Sequence, residues 1–202
     1  FYFRQRIEED ALYLLDEPLG GLFPSDRMNV CDVFHDLLAE GNSLFAAEND
    51  PQLIRVADVQ VVLGPGAGKD GGKVVSQGAP VRDTPSEIVA SLSEQENSDN
   101  EQLPLGMLRV SSIHKRNLQE ISVEIPLGKL SLVAGPSGSG KTTLVREVIV
   151  PLLRELFQRR GERKYKNEWA EISFEGEVVQ VCDATKVIGK LSPRSSVASY
   201  SH

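Results

Sequence analysis

The chain has 202 residues, 40% of them apolar and 25% charged, with a formal net charge of −7, which is the composition of a globular protein with one large or two small cores. The negative balance excludes a global attraction to nucleic acid, so any contact with DNA needs a local basic patch or residues outside this chain. No apolar run approaches the roughly 20 residues that span a bilayer, which leaves a cytosolic location and no membrane partner as the expectation. Cys31 and Cys182 lie far apart, and His35, His114 and His202 cluster with neither. Two buried reduced thiols are expected rather than a zinc site. The chain begins at Phe1 and reads as a fragment.

Taken in chain order, residues 11–15 form an apolar run that ends in Asp16-Glu17-Pro18 and reads as a strand. Residues 28–38 carry Val30, Val33, Phe34, Leu37 and Leu38 on one helical stripe. Short apolar runs at 44–47 and 59–63 read as further strands, and the alternation with a helix predicts an α/β fold with a parallel sheet. Gly64-Pro65-Gly66 and Asp70-Gly71-Gly72 mark loops, and residues 73–76 form one more short strand. Residues 83–102 are rich in Ser, Glu, Asn and Asp and read as an acidic linker.

Beyond the linker, residues 108–110, 121–125 and 130–134 read as strands, the last running straight into a glycine-rich loop. Leu144, Val145, Val148, Ile149, Leu152, Leu153, Leu156 and Phe157 then mark the buried face of a helix, which Pro151 should kink. Residues 158–166 are basic and read as a solvated surface, with a nucleic-acid or partner contact as the alternative. Residues 171–174 and 178–182 flank Glu175-Gly176 and predict a hairpin.

Gly135-Pro136-Ser137-Gly138-Ser139-Gly140-Lys141-Thr142 fits the phosphate-binding pattern, and its setting between a strand and a helix is the one its mechanism needs. Glycines let successive N–H groups turn toward phosphate oxygens, and the helix N-terminus adds its positive end. Lys141 would reach the β- and γ-phosphates of ATP, and Thr142, followed by Thr143, would ligate Mg²⁺. Asp16 and Glu17 close an apolar strand as a pair of acids, the first suited to the Mg²⁺ shell and the second to polarising an attacking water. In a single nucleotide-binding domain the phosphate loop precedes the acid strand, but here the acids come first. The inverted order predicts two domains, with Asp16 and Glu17 serving a different site from Lys141, or else one permuted domain.

Leu15-Asp16-Glu17-Pro18, Gly21-Leu22, Gly41-Asn42, Glu48-Asn49-Asp50, Gly64-Pro65-Gly66-Ala67-Gly68, Gly71-Gly72 and Gln77-Gly78-Ala79-Pro80 together resemble the end of the first nucleotide-binding domain of the UvrA family of the ABC excinuclease. Asn117-Leu118, Val123 to Gly128, the phosphate loop, Pro151-Leu152, Ile188-Gly189-Lys190 and Pro193-Arg194-Ser195 resemble the start of its second. The resemblance implies an ABC-type fold in two partial subdomains: residues 1–82 hold the acid and switch part of the first, residues 83–105 the linker, and residues 106–202 the phosphate-loop part of the second. It further implies ATP and Mg²⁺ as cofactors, a role in DNA-damage recognition during nucleotide excision repair, and a dimer that works with a repair helicase. After the switch glutamate the family has a histidine that senses the γ-phosphate. The resemblance places Asn49 at that catalytic position, where a neutral carboxamide implies weakened sensing, and Ala184 where the family has a glutamine. Gln5-Arg6-Ile7 resembles the tail of an ABC signature whose Ser-Gly-Gly is absent, so the isolated chain is expected to hydrolyse ATP only at background. A degenerate, non-catalytic nucleotide-binding module and a permuted stand-alone P-loop NTPase are the other readings.

Overall fold

The computed structural model describes residues 10–80, 103–159, 161–176 and 180–183, the last four as backbone. The acidic linker, the signature-like Gln5-Arg6-Ile7, Ala184 and the matches at 188–195 lie outside the described residues.

Three strands carry apolar side chains on both faces: β1 (Ala11–Asp16), β2 (Ser43–Ala47) and β7 (Leu130–Ala134) are buried throughout. Continuous runs of this kind suit a parallel sheet covered on both sides. With β3 (Val59–Gly64), β4 (Lys73–Gly78) and β10 (Gln180–Asp183) they form a six-stranded sheet in the order β10-β1-β2-β7-β3-β4. Every pairing is parallel except that of β4 with β3. The two parts of the chain on either side of the linker are each incomplete alone, because β7 from the later part lies between β2 and β3 from the earlier one.

Alternate side chains divide between the two faces. Ala11, Tyr13, Leu15, Leu44, Ala46, Leu130 and Leu132 pack with Cys31, Phe34 and Leu37 of α1 (Pro24–Ala39). Cys31 is a buried free thiol, pushed up in pKa by burial. α1 opens on Pro24, where a missing N–H costs nothing, and has Asp26 in its first turn. Leu12, Leu14, Phe45, Ala47, Val61, Leu63 and Val133 face the other way, onto the helix after the phosphate loop and a second sheet. That sheet is antiparallel, in the order β6-β5-β9-β8, from β5 (Gly106–Lys115), β6 (Leu118–Leu127), β8 (Lys164–Lys166) and β9 (Glu171–Glu175). The Gln77 carboxamide ties the sheets together by donating to Glu124 O at 2.9 Å and accepting from Glu124 N at 3.4 Å.

One expectation needs correction. The hairpin of 171–174 with 178–182 does not form: both edges of β9 are taken, by β5 and β8, and β10 instead extends the first sheet beside β1. Around Pro151 the helix is not a regular α-helix. The chain runs as a π-helix over Thr143–Ile149, with Val150 N–H bonded to Val145 O, and only then as α3 (Val150–Gln158). The wider turn immediately precedes Pro151, whose ring and missing N–H disturb a regular α-helical ladder. The basic segment supplies β8, with Arg159 and Arg163 over the rings of Tyr165 and Phe174.

Candidate nucleotide-binding site

The phosphate loop leaves β7 at Ala134 and enters the helix at Thr142, which already has right-handed helical dihedrals. Leu144 N–H donates to Gly140 O at 2.8 Å and opens the helical ladder. The loop's first residue, Gly135, has φ 145°, and a Cβ there would overlap the Leu63 carbonyl oxygen, so only glycine lets β3 and the loop approach this closely.

The run Gly64 to Gly72 lies against the loop. Gly68 N–H and the Asn117 carboxamide both donate to Gly138 O at 3.1 Å, and Gly72 N–H donates to Ser139 O at 3.0 Å. Gly72 O in turn accepts from Gln119 N–H at 3.2 Å. The glycine-rich segment between β3 and β4 and the β5–β6 turn therefore hold the carbonyls of Gly138 and Ser139 on the outer side of the loop.

Lys141 is buried, and its ammonium donates to Gly135 O at 2.8 Å and Pro136 O at 3.1 Å. Burial pushes it below the usual lysine range, against the opposing pull of Glu17, Glu48 and Asp16. Asp16 ends β1 almost fully buried. Its Oδ1 accepts from Thr142 Oγ1 at 3.3 Å, and its Oδ2 pairs with Arg146 Nε at 2.7 Å. Burial raises its pKa in spite of the Arg146 guanidinium and the Thr142 hydroxyl. Glu17 follows in a left-handed conformation, φ 52°, with an exposed side chain and its N–H bonded to Ala47 O. A non-glycine residue there stores backbone strain of a kind that clusters at functional sites.

The switch segment after β2 reaches the same place. Glu48 accepts from Leu19 N–H and Asn49 N–H. Asn49 exchanges two hydrogen bonds with Gly135, donating to its carbonyl at 2.8 Å and accepting from its N–H at 2.9 Å. Asp50 caps α2 (Pro51–Val56) through Gln52 N–H and pairs with Arg27 at 2.5 Å.

The inverted order of acids and phosphate loop leaves two arrangements open, one with Asp16 and Glu17 at a different site from Lys141 and one permuted domain that brings the acids within reach of Thr142. The structure brings Asp16 into hydrogen-bond contact with Thr142, as the second arrangement requires, because β1 and β7 both flank β2 in parallel register. The hard oxygens of Thr142 and Asp16, side by side beneath a phosphate cradle, are the donor set that Mg²⁺ takes alongside phosphate and water oxygens. One contributor, Arg146, was not singled out from the sequence. It lies on the polar side of a helix recognised by its apolar face, whereas Gly71-Gly72 was read as a loop and Asn117 through its place in the resemblance.

A raised carboxyl pKa has a direct consequence for stability. The folded state disfavours the charged form of Asp16, so its contribution is greatest below the ordinary carboxylate pKa and is lost as pH rises through the folded value. Asp16→Asn is therefore expected to raise the melting midpoint of the nucleotide-free protein by a few degrees at pH 8, with the gain shrinking at acid pH. Melts at several pH values check this; a lower midpoint at pH 8 would mean that the Arg146 pair outweighs burial.

A parallel sheet, a glycine loop opening a helix at the end of one of its strands, and an acid-terminated strand converging on that loop define a P-loop ATPase fold of the ABC type. No protein-family model matches the chain. Among curated proteins, UvrABC system protein A of Treponema pallidum is 38% identical over 206 residues, covering 94% of this chain and 20% of that protein. Its counterpart from Methanothermobacter thermautotrophicus is 37% identical over the same length and coverage, and that of Chlamydia muridarum is 39% identical over 158 residues, 73% of this chain and 9% of that protein. The crystal structure of UvrA2 from Deinococcus radiodurans matches with 30% identity over 85% of this chain and 21% of that one, at a TM-score of 0.38. The chain belongs to the UvrA family. It spans about a fifth of the length of the relatives that match 94% of it.

Proposed function

We propose that this chain binds Mg·ATP at the loop of residues 135–142 and forms part of an ABC-type ATPase of nucleotide excision repair. The observation that carries the proposal is the convergence of Lys141, Thr142 and Asp16 on one locus. In this reading the loop N–H groups and Lys141 hold the phosphates, and Thr142 and Asp16 hold Mg²⁺, which supplies charge neutralisation when bound. Glu17, at the exposed end of the acid strand, orients the attacking water. Residues 1–82 correspond to the acid and switch part of the first nucleotide-binding domain of the longer relatives, and residues 106–202 to the phosphate-loop part of the second. DNA-damage recognition, a repair-helicase partner, a dimer and a cytoplasmic location belong to the proposal at the level of a full-length parent.

The test is titration of a fluorescent ATP analogue with Mg²⁺ and with EDTA. Binding is expected to weaken at least tenfold without metal in the wild type and to lose most of that dependence in Asp16→Asn; no binding in either condition would remove the proposal. A second reading rests on the 3.3 Å approach of Asp16 to Thr142, from which the chain alone would complete a hydrolytic site. Turnover by the isolated chain that Glu17→Gln abolishes would favour it over a site dependent on a signature loop from an opposing domain.

A further inference from the structure

We infer that Asn49 is a positioning residue that latches the entry of the phosphate loop, rather than a reader of the γ-phosphate. The inference rests on the nucleotide-binding reading above and specifies how the loop is held for it. The β2–β7 ladder has a final main-chain rung, Glu48 N–H to Val133 O at 3.0 Å. One residue further along, the Asn49 side chain takes over: its Nδ2 donates to Gly135 O and its Oδ1 accepts from Gly135 N–H. A carboxamide carries a donor and an acceptor side by side, as a neighbouring strand does, so the ladder continues past the end of both strands into the loop. Alanine offers neither group, and a carboxylate offers only the acceptor.

Gly135 is buried, and its carbonyl accepts from Lys141 as well as from Asn49. When Lys141 turns toward phosphates, that carbonyl loses one donor. Asn49 keeps the other in place, so the movement leaves no buried oxygen unpaired. Because both of its polar atoms are engaged with Gly135, Asn49 favours the loop geometry equally for any nucleotide that uses the loop, whether or not a γ-phosphate is present.

The experiment compares wild type, Asn49→Ala and Asn49→Asp by titration with fluorescent ATP and ADP analogues in Mg²⁺, and by the amide resonance of Gly135 in the nucleotide-free proteins. Both variants are expected to lose affinity for ATP and ADP by the same factor, about tenfold, with the ATP to ADP ratio as in the wild type. The Gly135 amide proton is expected to move upfield and exchange faster in Asn49→Ala, and to keep its hydrogen-bonded shift in Asn49→Asp, which retains the acceptor. A loss confined to ATP would overturn the inference in favour of γ-phosphate reading. An unchanged Gly135 amide in Asn49→Ala would overturn the latch while leaving nucleotide binding intact, whereas a wild type that binds neither nucleotide withdraws both.

Discussion

Lys141→Ala is expected to lower the affinity for Mg·ATP by roughly a hundred- to a thousandfold, because it deletes charge-assisted hydrogen bonds to phosphate oxygens worth about 1.5–3 kcal/mol each. The fold should not suffer in proportion. Without nucleotide the ammonium is buried and bonded only to the carbonyls of Gly135 and Pro136, and burial disfavours its charged form. Neutralising it removes an unfavourable term, while Gly135 O keeps Asn49 as donor. Titration with a fluorescent ATP analogue should therefore show binding lost in a variant whose melting midpoint is no lower than that of the wild type. Equal affinity in the two proteins would show that the loop does not hold nucleotide through Lys141.

Gly72→Ala is expected to damage both fold and site. Gly72 has φ 74°, and an added Cβ would overlap Asn117 O and stand 2.5 Å from the Asn117 carbonyl carbon. All of these atoms are backbone, so no side chain can swing aside. The left-handed conformation and the overpacking together cost roughly 2–4 kcal/mol, a drop in midpoint on the order of 10 °C. Residual folded protein should also bind nucleotide more weakly, since the bond of Gly72 N–H to Ser139 O cannot survive the shift. Gly21→Ala is the internal control. Its φ is 76°, but a Cβ there meets nothing within 4 Å, so only the backbone term of about 1 kcal/mol remains. Similar losses in the two variants would mean that the close approach at Gly72 is relaxed in solution.

Much of the first sheet was legible because β1, β2, β3 and β7 are short apolar runs bounded by turn residues, and such runs are read locally. The phosphate loop was legible for the same reason, since its cradle lies within eight consecutive residues. The strands of the second sheet were underestimated: the reading at 108–110 and 121–125 caught the most apolar stretches of β5 and β6, whose outer residues alternate with exposed ones. β8, Lys-Tyr-Lys, reads as solvated surface because its strand character comes from pairing with β9 rather than from its side chains. α2 was missed, being six residues long. What no local pattern could supply was adjacency. The placement of β10 beside β1, and the meeting of Asp16 with Thr142 across 126 positions, depend on strand order, which the spacing of acids and phosphate loop left open.

The interleaving of β7 between β2 and β3 also governs how such a chain can be made. When residue 80 has left the ribosome, the facing edges of β2 and β3 still lack β7, and both strands are apolar. The strand that closes them is synthesised some fifty residues later. Sheet closure is thus a late, non-local event that must wait for a long loop to be bridged, which slows folding and leaves strand edges open to other chains in the meantime. Co-translational protection of those edges, readable as the solubility of nascent chains stalled before and after residue 134, is a requirement written into the strand order itself.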